Sequence, residues 1–256
     1  MADNFLIDSH CHLHDRSFFA EKQAEEMLER AHEAGVKKII CIGTSHQDSL
    51  KARDFAAAHD GVYWTYGIHP YEAGTNLKNP VFLEREFKKE QILASHPIAI
   101  GEVGLDYHTE EYSREAQIKL FEQMLQLAVD NDLPVSFHVR KAFDDFFGVI
   151  KNFPTVRGVV HSFTDSKKVL KRILNETDFY VGVNGLATYS TLPTPPLERT
   201  LLETDAPFLT PEPFRGIINE PAYIKEIALW LSKKLNVKFD DLEKETTQNA
   251  TRLFNF

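Results

Sequence analysis

Eight short apolar runs, each followed by a longer polar or amphipathic stretch, constrain this chain more than any other feature. They lie near residues 5–10, 37–43, 62–68, 97–103, 133–139, 156–163, 179–185 and 199–205. Runs of that length rich in Val, Ile and Phe read as buried strands, and strands separated by helix-length segments pair in parallel. Eight such units in 256 residues match one closed barrel. The expected fold is therefore α/β, a single (β/α)8 TIM barrel forming one domain over residues 1–256. Residues 20–34 read as a helix with Gly35 at its C-terminal cap, residues 113–131 as a helix starting at Ser113, and residues 219–235 as another. The connection between strands seven and eight breaks the alternation. Its sequence, ATYSTLPTPPLE, carries Pro193, Pro195 and Pro196 and is too short and proline-rich for a full helix, so the barrel is expected to be irregular there. No Gly/Ser linker, low-complexity tract or repeat suggests a second domain.

Composition narrows the function classes. A hydrophobic fraction of 43% and a charged fraction of 26% are ordinary globular values. A formal charge of −9 disfavours sequence-reading DNA binding through a broad basic surface, but leaves room for a local basic cleft or metal-mediated phosphate contact. Cys11 and Cys41 are too few for a disulfide framework, which fits a reducing cytosol. The N-terminal MADNFLIDSH lacks the basic and long apolar regions of a signal peptide, and no run approaches membrane-spanning length. A soluble, cytoplasmic protein is expected.

Five of the runs end on residues able to bind metal: His10 and His12 in FLIDSHCH, Glu102 in IAIGEV, His138 in PVSFHV, His161 in GVVHSF and Asp205 in TLLETD. His10 and His12 are two apart, so on a strand both point to one face, while Cys11 points the other way and packs. Taken singly, each has a plainer explanation. H-x-H pairs are common, His138 or His161 could be a hydrogen-bonded barrel histidine, Asp205 a helix cap, and Glu102 the partner of an arginine. Together they fall on the strand ends that carry catalytic groups in such barrels. Four imidazoles and two carboxylates can hold a pair of divalent ions, imidazoles suiting zinc and carboxylates also magnesium or manganese. A carboxylate can bridge ions about 3.5–4 Å apart, and an aspartate can both hold a metal and take a proton from attacking water. His32, His46, His59 and His96 fall on helices or turns and are expected to be solvated.

The motifs DSHCHL, GIHP around His69, GEVGLDY, FHVR of Phe137–Arg140, VVHSF, ETDAPFL and the RG and NEP of Arg215–Pro221 occur in order, and the similarity runs from about Ile7 to TTQNATRLF. The chain closely resembles the TatD family of metal-dependent hydrolases, within the amidohydrolase-like TIM barrels. That resemblance implies two divalent ions (Zn, Mg or Mn) and phosphodiester hydrolysis by a metal-activated water, commonly as a 3′–5′ exodeoxyribonuclease. Nucleic acid is then the substrate, as DNA ends that include single-stranded ones, with no membrane role and no obligate protein partner. On the matching positions, His10, His12 and Asp205 would hold one ion and His138 and His161 the other. Glu102 would bridge, and Asp205 and Glu102 would be the catalytic carboxylates. His69 matches a position that can contact phosphate. Arg215 is a candidate phosphate ligand because its fork suits bidentate contact. Arg140, after His138 in FHVR, is expected to alternate away from the site and is a weaker substrate candidate. Asn219 and Glu220 are either substrate groups or caps of the final helix.

Four departures from the family pattern bear on substrate preference. Ile217 stands where Lys is usual, Lys141 where Asp is common and Ser162 where Cys is frequent. The stretch from Leu192 to Pro196 is about two helical turns short. Two alternatives remain: an ester or amide hydrolase such as an aminoacyl-tRNA deacylase, and a non-catalytic metal-stabilised scaffold.

Overall fold

Every apolar run becomes a strand in the computed structural model, which describes residues 5–74, 96–109 and 113–256. The strands are β1 (Leu6–Cys11), β2 (Val36–Cys41), β3 (Val62–Tyr66), β4 (Ala99–Asp106), β5 (Val135–Arg140), β6 (Gly158–Val160), β7 (Tyr180–Val183) and β8 (Thr200–Leu202). They pair in parallel and in chain order, with Cys11 opposite Cys41 at one end of the series and Val183 opposite Leu202 at the other. This is the expected (β/α)8 arrangement. The first and last strands meet along a polar seam. Asp205 N–H donates to His10 O and His12 N–H to Ala206 O, both at 2.8 Å. Below them Ser9 Oγ donates to Leu202 O at 2.9 Å, and the buried Asp8 carboxylate accepts from Thr204 N at 2.9 Å and from Thr204 Oγ1. The seam closes where His10, His12 and Asp205 emerge.

Helices of the described residues are α1 (Glu21–Glu33), α2 (His46–Ala58), α3 (Arg114–Asp130), α4 (Phe143–Ile150), α5 (Lys167–Glu176), α6 (Ile224–Leu235) and α7 (Phe239–Phe254). Local chemistry sets their ends. Ser113 caps α3 by accepting from Ala116 N at 3.3 Å, as Ser45 and Ser166 cap α2 and α5. Gly35, with φ of 93°, turns the chain out of α1. The buried face of α3 presents Leu120, Phe121, Met124, Leu125 and Ala128, and Phe121 joins Phe137, Phe146 and Phe179 in an aromatic core under β5. The last expected helix starts later than the sequence pattern suggests. Asn219 and Glu220 precede a 3-10 turn at Pro221–Tyr223, and α6 begins only at Ile224. Between β7 and β8 there is no α-helix, only 3-10 turns at Gly185–Thr188 and Leu197–Arg199. Asn249 on α7 compensates for the missing cover, donating to Leu197 O at 2.9 Å and Thr200 O at 3.0 Å.

The pairing of β4 with β5 sets the position of His138 and depends on a glycine. Gly104 lies opposite His138, has φ of 150°, and a Cβ there would sit 2.0 Å from the His138 carbonyl oxygen. We expect Gly104→Ala to cost about 3 kcal/mol or more through backbone strain and strand displacement. Thermal unfolding should register this as a fall in Tm of about 6–12 °C, and an unchanged Tm would show that the strand pair tolerates the methyl.

Candidate metal centre

Parallel strands all present their C-terminal ends on one face, so side chains from within β4 (Glu102) and β5 (His138) and from the ends of β1, β6 and β8 reach one place. His10, His12, Glu102 and His161 are each at most 8% exposed there. His10 Nε2 lies 3.6 Å from Glu102 Oε2 and 3.7 Å from Asp205 Oδ1. His12 Nε2 is 3.5 Å from Asp205 Oδ1, and His161 Nε2 is 3.8 Å from Glu102 Oε1. His138 Nδ1 approaches Glu102 Oε1 to 2.5 Å. The His10 and His161 rings stack, with centroids 3.4 Å apart and planes 11° from parallel.

Most of these separations are too long for hydrogen bonds. They suit donors around one ion, because bonds of about 2.1 Å in tetrahedral geometry place ligand atoms about 3.4 Å apart. His10 Nε2 is moreover a buried nitrogen without a hydrogen-bond partner. Among the described residues, donor atoms within 4.8 Å of one another form three groups: His10, His12 and Glu102; His10, His161 and Glu203; and His69, Glu102 and His138. The donor set and its spacing therefore fit divalent metal ions.

The outer ring nitrogens are held as metal-ligating histidines require, by a carbonyl, hydroxyl or carboxylate that fixes the ring's orientation. His12 Nδ1 is 3.1 Å from Ile42 O and His10 Nδ1 is 3.3 Å from Ser136 Oγ. His161 Nδ1 lies 3.1 Å from Glu203 Oε1 as an ion-pair contact, without the alignment of a hydrogen bond. The same Glu203 oxygen accepts from Ser162 N at 2.7 Å and Asn184 Nδ2 at 3.2 Å, which fixes this carboxylate beside His161, while its Oε2 is buried without a partner and stays free to meet an ion. Asp106 has the matching role for His138, with its Oδ2 2.9 Å from Nε2. Gln117 brackets the Asp106 backbone through bonds of 2.8 and 2.9 Å. Sequence reasoning missed Asp106 and Glu203, although both sit inside its motifs, GLDY and ETD. Their signal is a second carboxylate at the same strand end. Lys141, Ser162 and Asp205, just past β5, β6 and β8, have φ of 56°, 47° and 57°. Left-handed backbone at non-glycine residues costs on the order of 1–3 kcal/mol and clusters at functional sites.

The remaining expected site residues divide. His69 lines the cleft over the centre, a space of about 970 Å³, with its ring 4.5 Å from that of His138 and its Nδ1 accepting from Tyr71 N at 3.2 Å. Arg140 corrects the sequence reading. It stands two residues after His138, so it shares that side of β5, and its exposed side chain lines the same cleft. Arg215 is not among the cleft-lining residues; its guanidinium lies 4.0 Å over the Tyr189 ring. Asn219 is neither a substrate group nor a helix cap, because its Nδ2 donates to Thr204 O at 2.8 Å and to Phe208 O. Glu220 pairs with Arg30 at 2.9 and 3.0 Å. Both residues brace the loop that follows β8.

The centre polarises its own members. Burial alone would raise the Glu102 carboxyl, but the imidazoles of His138, His10 and His161 hold it well below the usual carboxylate range. Burial would lower His138 and His161. Glu102 and Asp106 instead lift the first to about 9, and Glu203 and Asp205 lift the second to about 10. Burial pushes His69 down to about 4, leaving it neutral at pH 7.

The family model described as TatD related DNase matches residues 7–255. A Bacillus subtilis (strain 168) protein called the uncharacterized metal-dependent hydrolase YabD is 32% identical over 258 residues, covering 97% of this chain and 98% of that protein. A Pantoea sp. (strain At-9b) protein called 3'-5' ssDNA/RNA exonuclease TatD is 32% identical over 253 residues, covering 91% and 94% respectively. Among solved structures, the TatD homolog YjjV from Escherichia coli K12 superposes with a TM-score of 0.82 at 29% identity, covering 98% of both chains. Among the described residues no helix is long and apolar enough to cross a membrane.

Metal binding should show the proton competition set by these histidines. His138 and His161 hold protons in the metal-free protein up to about 9 and 10, and a ligating imidazole must be neutral. Affinity therefore falls as pH falls, by about tenfold per pH unit for each proton displaced. Calorimetry between pH 6 and 8 in buffers of different ionisation enthalpy should record proton release, and pH-independent affinity would contradict this picture. Glu203→Gln should weaken binding roughly 10- to 100-fold by releasing His161, measured by competition with a chelating dye.

Proposed function

This chain belongs to the TatD family of metal-dependent hydrolases, and from that premise we propose that it is a two-ion phosphodiesterase that trims DNA ends as a 3′–5′ exonuclease. The observation carrying this reading is the convergence of His10, His12, His161 and Asp205 with Glu102 at separations of 3.5–4.0 Å, which suit coordination rather than hydrogen bonding. In this reading His10, His12 and Asp205 would hold one ion and His138 and His161 the other, with Glu102 a ligand available to both. When bound, such ions would supply Lewis acidity and lower the pKa of water.

The protein's own groups supply position and proton transfer. Burial would raise the Asp205 carboxyl, but His161, His12 and His10 keep it below its ordinary value, so it is anionic and able to accept the proton of the attacking water. His69, neutral at pH 7, offers a hydrogen bond rather than a charge to a non-bridging phosphate oxygen. Arg140 sits on the same side of β5 as His138 and can fork onto the adjacent phosphate. The water oxygen bonds to phosphorus as the bond from phosphorus to the 3′ oxygen breaks; that 3′ oxygen takes up a proton to become the new 3′ hydroxyl of the shortened strand, and a 5′-phosphorylated nucleotide is released. The Pantoea relative, called a 3'-5' ssDNA/RNA exonuclease, supports this choice of substrate.

The second reading keeps the centre and replaces the phosphodiester with a carboxylic ester, such as an aminoacyl-tRNA. It draws support from the scarcity of cations in the cleft, where Arg140 is the only Lys or Arg among the described lining residues. Labelled single-stranded DNA and an aminoacyl ester, compared under Mg, Mn, Zn and Co, separate the two. The phosphodiesterase reading expects metal-dependent shortening of the DNA from its 3′ end, abolished by chelation, and preferential turnover of the ester would overturn it. Glu102→Ala and Asp205→Asn should each lower turnover by about a thousandfold or more while circular dichroism stays unchanged. Near-wild-type turnover in either variant would remove that residue from the mechanism.

A further inference from the structure

Two large apolar side chains stand exposed where a substrate would enter. Phe18 and Phe208 are each 45% exposed, whereas Phe19, Phe121, Phe137 and Phe146 are fully buried. Both line the cleft that contains Glu102, His138 and Asp205. Their rings meet edge to face, with centroids 5.2 Å apart at 82°, and Phe208 in turn lies 6.2 Å from the His12 ring at 67°. The series of rings leads from a metal-binding imidazole to the cleft mouth. An edge-to-face pair leaves ring faces open for another aromatic group.

Neither ring is on a loose loop. Phe208 N–H donates to Asp205 O at 2.8 Å, and Phe208 O accepts from the Asn219 side chain, which also holds Thr204. Phe18 N–H donates to Asp15 O at 3.1 Å, and its neighbour Phe19 is locked in the core. These bonds anchor the backbone that carries each ring, which lowers the ordering cost of a ligand group placed on the pair.

Charge offers the cleft little help. Among the described lining residues Arg140 is the one Lys or Arg beside Asp15, Asp48, Glu72 and the centre's own carboxylates, and Arg215 is engaged at Tyr189. A polyanion lying in such a cleft gains little from counterion release. Exposed rings beside the reacting centre and the single Lys or Arg among the described lining residues are both accounted for by recognition through stacking.

We propose that Phe18 and Phe208 form a base-stacking platform that seats the unpaired terminal nucleobase of a single strand and so places its phosphodiester over the Glu102–Asp205 centre. This rests on the phosphodiesterase reading and adds what selects the substrate. Stacking tolerates every base, because each has a π face. A paired terminal base must first leave its partner and neighbour, so duplex ends are disfavoured. Stacking of one base on aromatic side chains is worth roughly ten- to a hundredfold in affinity.

The test compares single-stranded oligonucleotides that end in a normal nucleotide or in an abasic tetrahydrofuran residue. For the wild-type protein we expect KM to be about tenfold or more higher for the abasic strand. In Phe208→Leu, which keeps apolar volume, and in Phe18→Ala, that difference should collapse to within about twofold through a higher KM for the normal strand, and Phe208→Trp should retain it. A second readout does not need turnover: quenching of a terminal 2-aminopurine on binding to the chelator-treated protein, lost in the Phe18→Ala/Phe208→Leu double variant. Equal KM for the two strands in the wild type, or no quenching, would overturn the platform. Absence of hydrolysis under every metal, with quenching intact, would fault the phosphodiesterase reading and leave the platform standing.

Discussion

A carboxylate buried at the mouth of a barrel must be compensated by positive charge, and Glu102 is 5% exposed with His10, His138 and His161 nitrogens all within 3.8 Å. Removing such a charge from water costs several kcal/mol, on the order of 5 or more, unless cations replace the lost hydration. His138 and His161, lifted to about 9 and 10, supply the compensation as imidazolium groups, while burial holds His10 low; bound divalent ions would supply it instead. Ion binding, protonation and strand-end geometry are consequently one coupled equilibrium. The barrel's role is to bring five strand ends close enough to make that compensation possible.

The coordinating atoms keep their positions because a further layer of groups leaves the rings few other orientations. Ile42 O, Ser136 Oγ, Glu203 and Asp106 each hold the outer nitrogen of one histidine. Gln117 and Asn184 hold the last two in turn. The β1–β8 seam does the same for backbone, tying His10 to Asp205 through a 2.8 Å hydrogen bond between residues from opposite ends of the chain. A centre built this way is organised before any ion arrives, which limits the reorganisation needed during reaction.

Around this centre the cleft takes its own character. Ile217 lies exposed in the loop after β8, and the loop's arginine leans on Tyr189 instead of turning inward. The connection from β7 to β8 is reduced to two 3-10 turns. Among the described residues the cleft carries Phe18 and Phe208 with Asp15, Asp48, Glu72 and Arg140 around the cluster of histidines and carboxylates.

The strand count, their parallel order and the convergence of His10, His12, Glu102, His138, His161 and Asp205 were legible in the amino-acid sequence. Burial on both faces writes itself as a local apolar run, and parallel pairing then sends every run's C-terminal residue to one rim. Arg140 was legible too, since residues 138 and 140 share a face, but its spacing was misjudged. What the tertiary structure alone decided are contacts between segments far apart in the chain. Glu203 orients His161, Arg215 goes to Tyr189, Asn219 braces the loop instead of capping a helix, and Phe18 meets Phe208. Sequence periodicity reports which way a side chain faces on its own element. Whether it binds an ion, orients a ligand or waits for a base depends on separations of a few ångströms, and those are set only when distant segments pack.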